Sequence, residues 1–199
     1  MEQVDLKKII QEYGGVQPSH LAFYIESIRF NCDVAMNSID YVAKLINMTN
    51  ETKGQYELDS ELQVQILDHL QNIILHAGAL SKYFWAFKDG EHKLHKKRGQ
   101  TLRSHFKLNE NSPLKDKKLR NHLEHFDENL DCYLWEKPIV GCVIPAFVGA
   151  EVKDDDVPIH FFRAFFINTG EFKTLGVSYQ IQPIVDEICK IYDALNNHT

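Results

Sequence analysis

The sequence predicts a mostly α-helical protein: an antiparallel bundle of four to five helices with a small antiparallel β insert before the C-terminal helix. Two observations lead to this fold class. Over most of the chain, apolar residues recur at steps of three or four, as they do on the buried face of a helix. From about Pro138 this spacing gives way to short β-branched and aromatic runs separated by Gly, Asp and Pro, which are typical of strands and turns.

Two long helices are predicted first. One extends from about Pro18 to Met48, and the next, which Asp59 or Ser60 can cap, extends towards Phe87. Their apolar stripes consist of Leu21, Ile25, Ile28, Cys32, Ala35, Ile39, Val42 and Ile46, and of Leu62, Ile66, Leu70, Ile73, Ala77, Leu80, Phe84 and Phe87. Each stripe covers one face of a helix, as expected in a bundle.

A shorter basic helix follows the turn at residues 88–90 and is weakened by Gly99. Residues 111–113 (Asn-Ser-Pro) then supply a cap residue and a proline suited to a first helical turn. The helix that they open extends to Tyr133, with an apolar stripe of Leu119, Leu123, Phe126, Leu130 and Tyr133. The β insert occupies about 138–179, and a final helix extends from Gln182 to Leu195. We expect one domain over residues 1–199.

Composition narrows the class of protein. The 199 residues contain no apolar run of the roughly 18 to 20 residues that spans a bilayer, and the N-terminus lacks a signal-peptide pattern. The four cysteines form no CxxC pair, as expected for reduced thiols. These features predict a cytoplasmic protein without a membrane partner.

Charge is unevenly distributed. The net charge is −6, yet residues 92–125 contain ten Lys or Arg against three acidic residues, and they also contain five of the ten histidines. A basic segment in an acidic protein favours contact with a polyanion, although a solvated helix face has the same composition.

The hexapeptide Arg-Asn-His-Leu-Glu-His at residues 120–125 is the sharpest candidate site. On a straight helix, at about 100° per residue, Arg120, Asn121 and His125 lie away from the apolar stripe. Asn121 and His125 are four residues apart and can touch, whereas Arg120 and His125 diverge by about 140°. A second copy of the helix facing the first would let the Arg of one copy and the His of the other meet at one phosphate.

This R-x4-H pattern, with a polar residue directly after the Arg and on a bundle helix, resembles the HEPN superfamily. The stretch at residues 119–134, LRNHLEHFDENLDCYL, is similar to bacterial HEPN-like proteins. The resemblance implies a homodimeric, metal-independent endoribonuclease, of the kind used as toxins or in phage defence, with neither metal nor other cofactor. It implies RNA as substrate, 2′,3′-cyclic phosphate and 5′-hydroxyl products, and an antitoxin protein as partner in toxin systems.

The residue types suit that chemistry. Histidine can transfer protons near neutral pH, and the arginine fork can hold a phosphate, so we predict His125 and Arg120 as catalytic residues with Asn121 assisting. Substrate attraction is expected from Lys115, Lys117 and Lys118. One departure from the family is Asp127, which stands where such toxins often carry a tyrosine that accepts AMP.

Other interpretations of the same residues stay open. Arg120 could pair with Glu124 as an ordinary exposed ion pair. His122 borders the apolar stripe, as expected of a structural histidine, and the same role is the default for His69, Asn72 and His76, with His76 a lesser candidate for the site. His122 and His125 could instead contribute to a metal site. A HEPN-like module could also bind RNA, nucleotide or protein without catalysis.

Overall fold

The computed structural model describes residues 5–51, 58–136, 139–152 and 157–197. The helices within these residues are α1 (Leu6–Tyr13), α2 (Pro18–Glu51), α3 (Ser60–Phe84), α4 (Leu94–His105), α5 (Lys118–Glu124), α6 (Phe126–Glu136) and α7 (Gln182–Asn196). The strands are β1 (Cys142–Ile144), β2 (Phe147–Gly149), β3 (Ile159–Phe161), β4 (Ala164–Phe166), β5 (Glu171–Thr174) and β6 (Val177–Gln180). The described residues are mostly helical, with a small β region before the last helix, which confirms this part of the prediction.

The long helices α2, α3 and α7 confirm the predicted periodic segments, except that α3 ends at Phe84 and leaves Phe87, the last residue of the predicted stripe, exposed beyond it. Asp59 caps α3, as predicted: its side-chain Oδ1 accepts a hydrogen bond from the backbone N–H of Leu62 at 2.8 Å. Helix α1 was not predicted from its periodicity, because eight residues carry little periodic signal. Its end signals are nevertheless clear, since the Asp5 side chain accepts from the N–H of Lys8 at 3.2 Å and Gly14 ends the helix in the left-handed conformation.

The chain forms two compact units. The first comprises Met1–Met36, Leu75–Asp116 and Asp186–Thr199, and the second comprises Asn37–Ile74 and Lys117–Val185. Residues of α2 and α3 therefore belong to both units. The prediction of a single domain remains a prediction.

In the first unit, side-chain hydrogen bonds link segments that are distant in sequence. Thr101 on α4 donates to the carbonyl of Gly14 at 3.0 Å. Arg29 on α2 donates to the Leu195 carbonyl at 3.2 Å and to the Asn196 side chain at 3.1 Å, which satisfies the end of α7. The apolar side chains buried here include Ile28, Cys32, Leu80, Phe84, Leu102, Ile188 and Ile191.

In the second unit, two glutamines on α3 contact the β region. Gln63 accepts a hydrogen bond from the backbone N–H of Val148 at 3.0 Å, and Gln71 accepts one from the side chain of Arg163 at 3.1 Å. A cluster of Phe161, Ala164 and Phe166 is buried under Ile144, Phe147 and Ile159. The strands are therefore covered by their own aromatic side chains and held to α3 by polar contacts.

The strands form two small sheets. One contains β1 and β3 in parallel, and the other has the order β2-β4-β5-β6, in which β2 and β4 are parallel and the remaining pairs antiparallel. The prediction of an antiparallel insert is correct for the pairs β4–β5 and β5–β6 and wrong for the pairs β1–β3 and β2–β4, because residue alternation reports strand formation and not strand direction. The predicted start at Pro138 lies outside the described residues.

The antiparallel part depends on a tight turn. Leu175 and Gly176 join β5 to β6 with φ of 46° and 79°, the pair of positive values that a two-residue type I′ hairpin turn needs. Pro145, between β1 and β2, has no N–H to donate to a neighbouring strand, so it separates the two sheets.

Candidate functional site

The hexapeptide lies across a break between two helices. Helix α5 ends at Glu124, His125 adopts a non-helical backbone with φ −111° and ψ 40°, and α6 begins at Phe126. The predicted continuous helix from Pro113 to Tyr133 is therefore wrong, and the helical-wheel angle between Arg120 and His125 does not apply.

Two local features explain why this segment is not one continuous helix. The cap at Ser112 opens only a short 3₁₀ helix, Pro113–Lys115, after which Asp116 is extended with φ −73° and ψ 122°. At the break itself, the Asn129 side chain donates to the carbonyl oxygens of His122 at 3.2 Å and of His125 at 2.7 Å. These bonds satisfy backbone carbonyl oxygens at the end of α5 and so stabilise the break.

Arg120 is held within its own helix. Its side chain is only 13% exposed, and both Nε and Nη2 donate to Oδ1 of Asn121, with the Nε bond 3.2 Å long. Oε2 of Glu124 lies 3.3 Å from the same Nε. The structure thus contains the Arg120–Glu124 pair that the spacing allowed. Among the described residues no acceptor contacts Nη1, so one edge of the guanidinium has no protein partner.

His125 is exposed and lies beside an acidic residue. Its side chain is 58% exposed, and Nδ1 is 3.6 Å from Oε1 of Glu128, an ion pair when the imidazole is protonated. The hydrogen bond between Asn121 and His125 is a backbone one, in which the His125 N–H donates to the Asn121 carbonyl at 3.0 Å. The Asn121 side chain orients Arg120 instead.

The three candidate substrate-binding lysines have different surroundings. Lys115 belongs to the first unit and donates to Glu110 at 2.8 Å, and Arg103 contacts the same carboxylate at 2.9 Å. The hydrogen bond from Lys115, with the charge of Arg103, lowers the pKa of Glu110. Lys117 precedes α5 and Lys118 begins it, in the second unit. Lys115 is therefore partly neutralised by its own neighbour.

The three histidines for which a structural role is predicted, His122, His69 and His76, occupy packed positions. Burial lowers the pKa of His122, whose Nε2 is buried and has no hydrogen-bond partner among the described residues. His69 stacks on Tyr41 with the ring centroids 4.1 Å apart. His76 belongs to the first unit, where its Nδ1 lies 3.0 Å from the Asn31 side-chain oxygen.

Sequence reasoning missed two residues that shape the break. The Asn129 side chain donates to two carbonyl oxygens at the break. The sequence signal that could have revealed this contact is the position of Asn129 four residues after His125. Arg163 has its guanidinium 3.9 Å from the centre of the Phe126 ring, the first residue of α6, while its Nε bonds to Gln71. Arg163 is the one cation in an otherwise apolar and aromatic stretch, HFFRAFF. Phe126 directly follows His125 and begins α6, so its contact with Arg163 holds the chain in place immediately after the break.

Across the described ranges, no group of three or more His, Cys, Asp or Glu side chains is arranged to hold a metal ion. Within the same ranges, no helix has the length and apolar character needed to cross a bilayer. Comparison of the chain with family models, curated proteins and solved structures finds no match.

Proposed function

We propose that this protein is a metal-independent endoribonuclease of the HEPN type, an antiparallel helical bundle that acts on RNA as a homodimer. The observation that supports this best is the arrangement around the helix break. His125 is exposed there, and five residues earlier Arg120 is oriented by Asn121 and Glu124 with its Nη1 edge free of protein acceptors among the described residues. A positioned guanidinium and an accessible imidazole are two of the groups that RNA cleavage requires.

The chemistry has three parts. A proton leaves the ribose 2′-hydroxyl, negative charge on the pentacoordinate phosphate is stabilised, and the departing 5′-oxygen receives a proton. His125 moves protons in this scheme, and the Nη1 edge of Arg120 contacts the phosphate oxygens through charge-assisted hydrogen bonds. The products are a 2′,3′-cyclic phosphate and a 5′-hydroxyl end.

A homodimer supplies a second exposed histidine, which one copy of the hexapeptide lacks. One chain offers a single exposed histidine in the hexapeptide, whereas the reaction needs a proton acceptor and a proton donor. Two copies with their α5–α6 breaks facing each other provide two imidazoles and two guanidinium groups in one cleft. Lys117 and Lys118, at the start of α5, attract the RNA backbone there.

A non-catalytic module that binds RNA, nucleotide or protein is the second candidate. One observation favours it: Glu124 already pairs with Arg120, and an anion at the guanidinium must compete with this carboxylate. In that case the hexapeptide is a surface ion pair with an adjacent histidine, and RNA binds without turnover.

The deciding experiment measures cleavage of total cellular RNA in excess EDTA, with end-group analysis of the products. We expect wild type to cut, and His125→Ala to lose about 10² to 10⁴ in rate because proton transfer is removed. Arg120→Ala is expected to lose about 10² to 10³ through lost charge stabilisation. His95→Ala, which removes another exposed histidine from the basic segment, is the matched control and should cut like wild type.

Glu124→Gln tests whether this carboxylate competes with RNA for Arg120. Removing the competing charge leaves Arg120 available to phosphate, so a nuclease should bind RNA more tightly and keep its activity. RNA that stays intact with wild type, or is cut equally by all variants, contradicts the nuclease proposal. RNA binding without cleavage, weakened by Arg120→Ala, would establish the binding module.

A further inference from the structure

The first unit contains a cationic pocket that the proposed nuclease site does not use. A cavity of about 320 Å³ is lined by Asn31, Ala79, Lys82, Tyr83 and Arg98, all of which belong to this unit. Its size lies at the lower end of the range for small-molecule sites. Two of the five lining residues are cations and none is acidic.

Among the residues that the structure describes, no carboxylate forms an ion pair with Arg98. Its Nη2 donates to the carbonyl of Lys82 at 2.8 Å and its guanidinium lies 5.8 Å from the centre of the Tyr24 ring, contacts that orient the fork without neutralising it. Its Nε is buried and has no acceptor among the described residues. By contrast, Arg29 and Arg103 of the same unit each contact a glutamate.

The other polar groups at the pocket also retain hydrogen-bonding capacity. The Lys82 ammonium and the Tyr83 hydroxyl have no hydrogen-bond or ion-pair partner among the described residues. Asn31 is fixed by two contacts, its Nδ2 donating to the Ser27 carbonyl at 2.7 Å and its Oδ1 lying 3.0 Å from Nδ1 of His76. The pocket therefore presents a guanidinium, an ammonium and a hydroxyl around a fixed amide.

The segment that joins the two lining cations and continues through α4 is net positive. Residues 82–109 contain eight Lys or Arg and two acidic residues, Asp89 and Glu91. An anion at the pocket therefore gains attraction from its surroundings as well as from the two cations that line it.

We infer that this pocket binds a phosphoryl group, either of a mononucleotide or of an RNA backbone. Nη1 of Arg98 and the second N–H of its Nη2 can donate to two phosphate oxygens, because Nε is buried and one N–H of Nη2 is already bonded to the Lys82 carbonyl. Lys82 supplies a second positive charge, which matches the second negative charge of a phosphate monoester, and the Tyr83 hydroxyl donates a further hydrogen bond. The pocket lining does not include His125, so phosphate binding at the pocket can be tested separately from the proposed nuclease activity.

The test is calorimetric titration of the full chain carrying His125→Ala, which removes cleavage as a complication. The probe is 5′-AMP, and adenosine is the control that lacks the phosphate. We expect 5′-AMP to bind and adenosine to bind at least about tenfold more weakly. Arg98→Gln should weaken 5′-AMP binding at least about tenfold, as loss of a charge-assisted contact predicts. Lys97→Gln removes one charge from the same helix outside the pocket lining and should leave affinity within about twofold.

Two further variants test the pocket itself, and a competition experiment distinguishes the two sources of the phosphoryl group. Lys82→Gln and Tyr83→Phe test the site without changing Arg98, and circular dichroism checks that each variant is folded. A hexauridylate that displaces 5′-AMP identifies the RNA backbone as a source of the phosphate, and failure to displace it identifies the free nucleotide. Equal binding of 5′-AMP and adenosine, or equal weakening by Lys97→Gln and by the pocket variants, would overturn the inference.

Discussion

Replacing Gly99 with alanine tests how α4 packs against the end of α3. In an isolated helix this change stabilises by about 1 kcal/mol, because glycine loses more backbone entropy. In the structure a methyl group at Gly99 would lie 2.5 Å from the carbonyl oxygen of Phe84, where real contacts are at least 3.0 Å. The two segments would have to separate by at least about 0.5 Å, a form of overpacking that typically costs about 1 to 3 kcal/mol.

A second contact raises that cost. The same Phe84 carbonyl accepts a hydrogen bond from Nη1 of Arg103, and separation of the segments weakens this charged bond, which is worth about 1.5 to 3 kcal/mol. Together these losses exceed the gain in helix propensity. We therefore expect Gly99→Ala to lower the free energy of unfolding by about 1 to 3 kcal/mol.

Urea denaturation followed by circular dichroism measures this change. The matched pair Gln100→Ala and Gln100→Gly reports the alanine–glycine difference at an exposed position of the same helix, where alanine should be the more stable by about 1 kcal/mol. At position 99 the order should reverse. A Gly99→Ala variant as stable as wild type, or more stable, would refute the close approach of α4 to Phe84.

Three further predictions concern buried polar groups and thiols. Tyr133→Phe removes the hydroxyl that donates to Nδ1 of buried His160 at 2.6 Å, so we expect urea unfolding to show a loss of about 1 to 3 kcal/mol; an unchanged midpoint would contradict this. Burial lowers the pKa of His76, so the unfolded chain binds more protons below pH about 6.5, and stability should fall as the pH drops from 7.5 to 5.5. His76→Gln should reduce that fall, and an identical pH profile would count against the assignment. Burial raises the pKa of Cys32 to about 12, so a thiol reagent at pH 8 should modify exposed Cys142 at once and Cys32 only after unfolding.

Part of the candidate site follows from sequence and part does not. The pattern of Arg120, Asn121 and His125 predicts a polar site on a helical segment, and the possible Arg120–Glu124 pair follows from a spacing of four. The break at His125 could not be derived in this way. It depends on Asn129, which satisfies the carbonyl oxygens at the break, and on Phe126, which contacts Arg163 from the β region.

By itself, the sequence determined the mostly helical class, the extents of α2, α3 and α7 to within about three residues, and a β region before the last helix, because each depends on residue spacing along one segment. Tertiary structure decided the remainder. Strand direction depends on where the chain returns, the need for Gly99 depends on a carbonyl of α3, and the surroundings of Arg98 depend on three helices. Such properties arise from contacts between residues far apart in sequence, and local periodicity carries no information about them.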